Sequence, residues 1–225
     1  MKNIHKMDQT IALSVAQQLL QIKAIKLSPQ NPFTWASGMR SPIYCDNRVA
    51  LSHPAVRNLL IKGFQEASGV FGPVDVVAGV ATAGIPHGAI LADKLGLPFV
   101  YVREKAKSHG RQNQIEGELS PGARVLVIED LISTGGSSLK AVEALREAGA
   151  VVAGVLAVFT YGLPASEHAF SEAQCPHLAL SDFETLLKAA IEAHYLNAES
   201  LDTLSAWSKS PQAWSENWLA AYEAK

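Results

Sequence analysis

The sequence predicts an α/β fold in which a parallel β-sheet is flanked by helices. A small N-terminal hood of one helix and short strands precedes it, and a helical extension follows. Two observations carry this reading. From residue 74 to residue 161, short apolar runs alternate with amphipathic stretches of helical length. The runs are continuously apolar, as in strands covered on both faces. Strand–helix alternation of this kind implies right-handed crossovers and a parallel sheet.

The elements follow in chain order. Residues 8–22 (DQTIALSVAQQLLQI) set Ile11, Val15, Leu19 and Ile22 at helical spacing. Residues 27–48 (LSPQNPFTWASGMRSPIYCDNR) are rich in Pro, Gly and Ser, which predicts a pair of short strands joined by a Ser-Gly turn. Residues 54–68 return to a helical pattern. "VDVVAGV" (74–80), "LPFVYV" (97–102), "ARVLVIED" (123–130) and "VVAGVLAVFTY" (151–161) are the strands. Between them, residues 83–96 form a helix closed by Gly96, and residues 135–150 form another. Residues 103–122 are polar and non-periodic, which predicts a long loop. From Ser181 onward the patterns are helical: "DFETLLKAAIEAH", "AESLDTLSAW" and "AWSENWLAAYEA".

Composition narrows the function classes. A chain of 225 residues, 48% hydrophobic and 18% charged, buries a sizeable core. A formal net charge of −2 argues against a protein held on nucleic acid by electrostatics. Cys45 and Cys175 form no metal-binding or redox pair, which suggests a reducing compartment. The N-terminal MKNIHKMDQT lacks an apolar signal core, and no apolar run approaches the ~20 residues of a membrane span. A cytoplasmic location with no membrane partner is the expectation.

The chemistry concentrates in "VLVIEDLISTGGSS" (125–138). A buried strand runs into Glu129 and Asp130, then into the hydroxyls of Ser133 and Thr134 and the glycines Gly135 and Gly136. Ligands of open α/β sheets bind at the carboxyl ends of the strands. Glycines let backbone N–H groups approach an anion, and the following helix adds its positive end. The segment is neither a Walker loop nor GxGxxG. Two carboxylates beside a phosphate cradle make sense when the ligand also carries sugar hydroxyls or a magnesium ion. A ribose 5-phosphate meets those demands.

This segment resembles the phosphoribosyl-pyrophosphate (PRPP) motif of type I phosphoribosyltransferases. "FTWASGMRSPIYCDNR" (33–48), "ATAGIPHGA" (81–89), "YVREKAKSHGRQNQIEG" (101–117) and "VEALREAGA" (142–150) resemble the orotate-specific branch. The likeness spans roughly residues 10–190. It implies transfer of the phosphoribosyl group from PRPP to orotate, giving orotidine 5′-monophosphate (OMP) and pyrophosphate in pyrimidine (UMP) synthesis. It further implies Mg²⁺ and a homodimer with active sites near the interface. In that frame the chain is one domain: residues 1–70 as hood and base site, 71–165 as PRPP-binding core, and 166–225 as remaining core and C-terminal helices.

The residues follow from the motifs. Glu129 and Asp130 face the ribose, with Asp130 nearest the hydroxyls and a candidate magnesium contact; the metal is otherwise held through substrate oxygens. Ser133, Thr134, Gly135, Gly136 and Ser137 hold the 5′-phosphate. Thr82, Ala83 and Gly84 match the family's pyrophosphate loop. Arg103, Lys105, Lys107, His109 and Arg111 give the 103–122 loop the character of a cationic lid that neutralises the leaving pyrophosphate and excludes water. Arg103, Lys107, His109 and Asp130 are the candidate catalytic residues. The resemblance implies that Lys107 and His109 reach the neighbouring subunit's site. Phe33, Trp35, Arg48 and Thr134 are the candidate orotate contacts; Phe33 and Trp35 serve equally well as hydrophobic cover. His87 reads as a packed or surface histidine.

The sequence departs from the family at Ala36, Ala83, Glu104 and Tyr161, where some orotate enzymes carry cations. Arg40 and Arg48 are candidate replacements. Two other readings keep the PRPP motif: a purine phosphoribosyltransferase, and a non-catalytic PRPP-sensing regulator that binds nucleic acid. The acidic net charge and the intact cationic loop weigh against the regulator.

Overall fold

The computed structural model describes residues 7–35, 37–104 and 114–223. Helix α1 (Gln9–Gln21) starts at Asp8, whose carboxylate accepts from the N–H groups of Thr10 and Ile11. It buries Val15 and Leu19. The Pro/Gly/Ser-rich stretch makes two small antiparallel sheets rather than one pair of strands. β1 (Ile25–Leu27) pairs with β4 (Ile43–Cys45), and β2 (Phe33–Thr34) pairs with β3 (Arg40–Ser41). Gly38, at φ 85°, sits in the turn between β2 and β3, where its N–H donates to the Trp35 carbonyl. A 3₁₀ turn (Asn47–Ser52) leads into α2 (Pro54–Ser68), whose proline occupies the first turn, where its missing N–H is harmless.

The main sheet runs in the order β10-β9-β8-β5-β6-β7. β5 (Val76–Val80), β6 (Phe99–Val102), β8 (Arg124–Ile132), β9 (Val151–Thr160) and β10 (His177–Asp182) are parallel. β7 (Ile115–Glu116) is antiparallel to β6 at the edge. Helices α3 (Gly84–Leu95), α4 (Gly136–Glu147), α5 (Pro164–Glu172) and α6 (Phe183–Glu192) follow β5, β8, β9 and β10. α7 (Ala198–Lys209) and α8 (Pro211–Glu223) close the chain.

Period-two alternation divides the strands between two cores. Val77, Leu126, Ile128, Leu156 and Val158 pack with α1, α2 and α6 on one face. Val76, Ala78, Val125, Val127, Val155 and Ala157 pack under α4 and Phe170 on the other. Double burial explains why these strands read as unbroken apolar runs. The sequence reading ends the sheet at residue 161 and leaves residues 164–180 without elements. The structure adds α5 and the edge strand β10 there, and β7 inside the polar 103–122 stretch. Among the described residues, no helix is long and apolar enough to cross a membrane.

Candidate active site

The strand order reverses between β5 and β8, because β6 lies on one side of β5 and β8 on the other. Such switch points open a crevice at the carboxyl ends of the strands. Two loops meet there. The first, residues 81–84, follows β5; the second, residues 133–135, follows β8 and enters α4. The first loop is pressed against β8 at Gly84, where an added Cβ would collide with the Ile128 carbonyl and lie 3.3 Å from the Glu129 Cα. Only glycine permits that approach. Thr82 is exposed and Ala83 half-buried, so the loop's rim is open.

In the second loop, Ser133 is half-buried while Thr134, Gly136 and Ser137 are exposed. Gly135 precedes α4 at φ 85°, and a Cβ there would press on the Phe170 ring at 2.9 Å. The first N–H groups of a helix lack intrahelical partners, so the start of α4 is an anion cradle.

The paired carboxylates differ in environment. Glu129 is buried at 4% exposure. Its carboxylate accepts from the Asp130 N–H at 3.0 Å and from the Ser138 and Ser137 hydroxyls at 3.0 and 3.3 Å. Burial first, and then the Asp130 charge, push the Glu129 carboxyl up, to about 8. Asp130 is half-buried at the crevice, and burial raises its carboxyl too, against the lowering effect of its bond with Glu129. Both carboxyls are therefore raised, and the two titrate as one pair. Ser137, expected on a phosphate, has its hydroxyl toward Glu129.

Arg103 directly follows β6, at the carboxyl end of the parallel strands. Its N–H donates to the Gln114 carbonyl at 2.8 Å, and its guanidinium lies 3.4 Å from the Glu116 carboxylate. Residue 103 and residues 114–116 are therefore pinned side by side. Lys105, Lys107, His109 and Arg111 lie outside the described residues, as does Ala36.

The hood covers the carboxyl ends of β8 and β9. The Asn47 amide donates to the Asp130 carbonyl at 2.7 Å. Trp35 stacks on Tyr161 at 5.7 Å and 18°, while its indole N–H donates to the Ile43 carbonyl. Phe33 lies against Tyr44, ring centroids 5.7 Å apart. Arg48 is exposed and chelates Asp46 through two bonds of 2.7 and 2.9 Å. Tyr161, at the place of a family cation, is buried, and burial drives its hydroxyl well up from its ordinary value. His87 is buried in α3 against Phe64; neither ring nitrogen has a partner among the described residues, and burial lowers it to about 4.

Sequence reading missed Asn47; it reads Trp207 as packing on the core or on a partner, and the structure buries it in the core. Asn47 stands inside the quoted "CDNR", so its motif was in view while its reach across 83 residues to Asp130 was not. Trp207 carried no local signal beyond a helical period.

The phosphoribosyl transferase domain model matches residues 51–177, which contain both loops and the acidic strand end. Orotate phosphoribosyltransferase of Listeria monocytogenes is 54% identical over 206 residues, covering 91% of this chain and 99% of the relative. This chain belongs to the orotate phosphoribosyltransferase family. The Bacteroides thetaiotaomicron relative of the same name is 52% identical, covering 95% of this chain and 98% of its own. The solved orotate phosphoribosyltransferase of Aeropyrum pernix superposes with a TM-score of 0.71 at 29% identity, over 81% of this chain and 99% of that one.

Proposed function

We propose that the protein is a Mg²⁺-dependent orotate phosphoribosyltransferase of the cytoplasm that works as a homodimer. The observation that carries this reading is the pair of loops at the β5/β8 switch point: an anion cradle at the start of α4, an acidic strand end, and a second glycine-tight loop pressed against it.

In this reading the cradle from Ser133 to Ser137 holds the 5′-phosphate, and Thr134 borders the base. Asp130 binds the ribose hydroxyls. Glu129 acts one step back: its bonds to Ser137 and Ser138 fix the turn that presents the cradle. Residues 82–84 offer backbone N–H groups to the pyrophosphate. Arg103 adds charge at the rim, and Lys107 and His109 join it from the neighbouring subunit, roles that rest on the family resemblance. Orotate N1 attacks the anomeric carbon as the C1–O bond to pyrophosphate breaks. Pyrophosphate departs with the bonding pair, and the N1 proton passes to solvent. Positive charge at C1 and negative charge on pyrophosphate peak together, so catalysis is positioning plus charge stabilisation.

The donor set suits magnesium. Among the described residues no group of three or more His, Cys, Asp or Glu could hold a metal ion. Mg²⁺ characteristically needs only one or two carboxylates beside substrate oxygens and water. Asp130 would hold it with the ribose and pyrophosphate oxygens. The ion's contribution when bound is charge neutralisation on the leaving group.

Product analysis tests the reading. OMP and pyrophosphate must form one for one from orotate and PRPP, and OMP with pyrophosphate must return orotate. Accumulation of ribose 5-phosphate instead would contradict transfer.

A further inference from the structure

Helices α7 and α8 lie beyond the sheet and beyond the residues that match the family's domain model. They do not simply pad the core. Both grip the 33–41 hairpin, which carries Phe33 and Trp35, the candidate orotate contacts of the sequence reading.

Three contacts form the grip. Ser215 of α8 is 3% exposed, and its hydroxyl accepts from the Arg40 backbone N–H at 2.8 Å. The Arg40 guanidinium carbon lies 5.2 Å from the Trp218 ring centroid, a cation–π distance. Trp207 of α7 is fully buried and meets Trp35 edge-on at 6.0 Å and Tyr161 edge-on at 5.3 Å. Trp35 is thereby held on two sides, by Tyr161 at the end of β9 and by Trp207. The hairpin itself offers little stiffness, since each of its strands is two residues long. Short isolated hairpins are marginal in water. Its geometry must come from what it touches.

We propose that α7 and α8 are a positioning clasp for the acceptor-base subsite, with Ser215 and Trp218 fixing the hairpin at Arg40 and Trp207 fixing the Trp35 ring. The clasp contacts neither the 81–84 loop nor the 133–135 loop in any hydrogen bond, ion pair or ring pair found among the described residues. It therefore acts on the base and not on PRPP. The inference rests on the proposed phosphoribosyl transfer.

The test uses the full chain with Ser215→Ala, Trp218→Ala and the double variant, and Ser215→Thr as the conservative rescue. Thermal unfolding confirms that each variant is folded at the assay temperature. In Ser215→Ala the orotate KM should rise about fivefold, with the PRPP KM and kcat within about twofold of wild type. The double variant should rise further, and Ser215→Thr should return the orotate KM toward wild type. Unchanged KM values, or equal rises for orotate and PRPP, would overturn the clasp while leaving the transferase reading intact. Wild-type protein that transfers to a different base would overturn the orotate assignment alone, and the same variants would then be scored on that base. Wild-type protein that transfers to no base would overturn both.

Discussion

The side-chain amide of Asn47 donates to the backbone carbonyl of Asp130 at 2.7 Å. One hydrogen bond thus links the first residue of the hood's 3₁₀ turn to the acidic end of β8. Asn47 is fully buried, and its loss removes a hydrogen bond from the part-buried Asp130 carbonyl. Asn47→Ala should cost about 1–3 kcal/mol of stability. Because the bond sets the distance between hood and ribose site, kcat/KM for orotate should fall about tenfold or more. Chemical denaturation and steady-state kinetics check the two effects.

Gly84→Ala introduces a methyl group against the Ile128 carbonyl, which is backbone and has little room to move. The 81–84 loop must shift away from β8. A stability loss of about 1–3 kcal/mol is expected from overpacking. A displacement near 1 Å is enough to lower kcat by about 10²-fold. Retained activity with lowered stability would mean that the loop's position is not critical.

Stability should depend on pH in two windows of opposite sign. Glu129 has its folded carboxyl raised to about 8 from an ordinary 4.5, so the folded state binds the extra proton between those values. Stability therefore falls as pH rises through that window. His87 is lowered to about 4 from 6.5, so the unfolded state binds the extra proton, and stability falls as pH drops below 6.5. Glu129→Gln should flatten the alkaline limb of Tm against pH, and His87→Leu the acid limb. Unchanged limbs would mean that other groups set them.

Lys107→Ala should lower kcat by about 10²–10³-fold through lost stabilisation of the leaving pyrophosphate. Mixed in equal amounts with Asp130→Asn and allowed to exchange subunits, it should recover about a quarter of wild-type activity, since only hybrid dimers carry one intact site. No recovery would place Lys107 in its own subunit's site.

How much was legible in the sequence follows from range. Strands at 76–80, 124–132 and 151–160 are buried on both faces, so their apolar runs stood out. β10 was missed because "HLALSD" lies at the sheet edge, lacks β-branched residues and leads directly into a helix. The 125–138 segment was readable because a strand, a loop and a helix start lie within one local stretch. The partners of Glu129 lay within nine residues of it, yet their direction needed coordinates. Arg48 looked like a base contact by type, but Asp46, two residues earlier, chelates it. Tyr161 looked like a lost cation; the structure makes it the stacking floor for Trp35. Contacts such as Asn47 to Asp130 and Trp207 to Trp35 join distant segments and leave no periodicity to read.

The central claim is that the switch-point crevice passes a phosphoribosyl group from PRPP to orotate. The most direct measurement follows orotate absorbance with PRPP and Mg²⁺, with adenine, hypoxanthine and uracil run in parallel. Orotate should be consumed, only when both PRPP and Mg²⁺ are present, and the other bases should be left unchanged. Turnover of another base without orotate, or PRPP binding with no turnover of any base, would contradict the account.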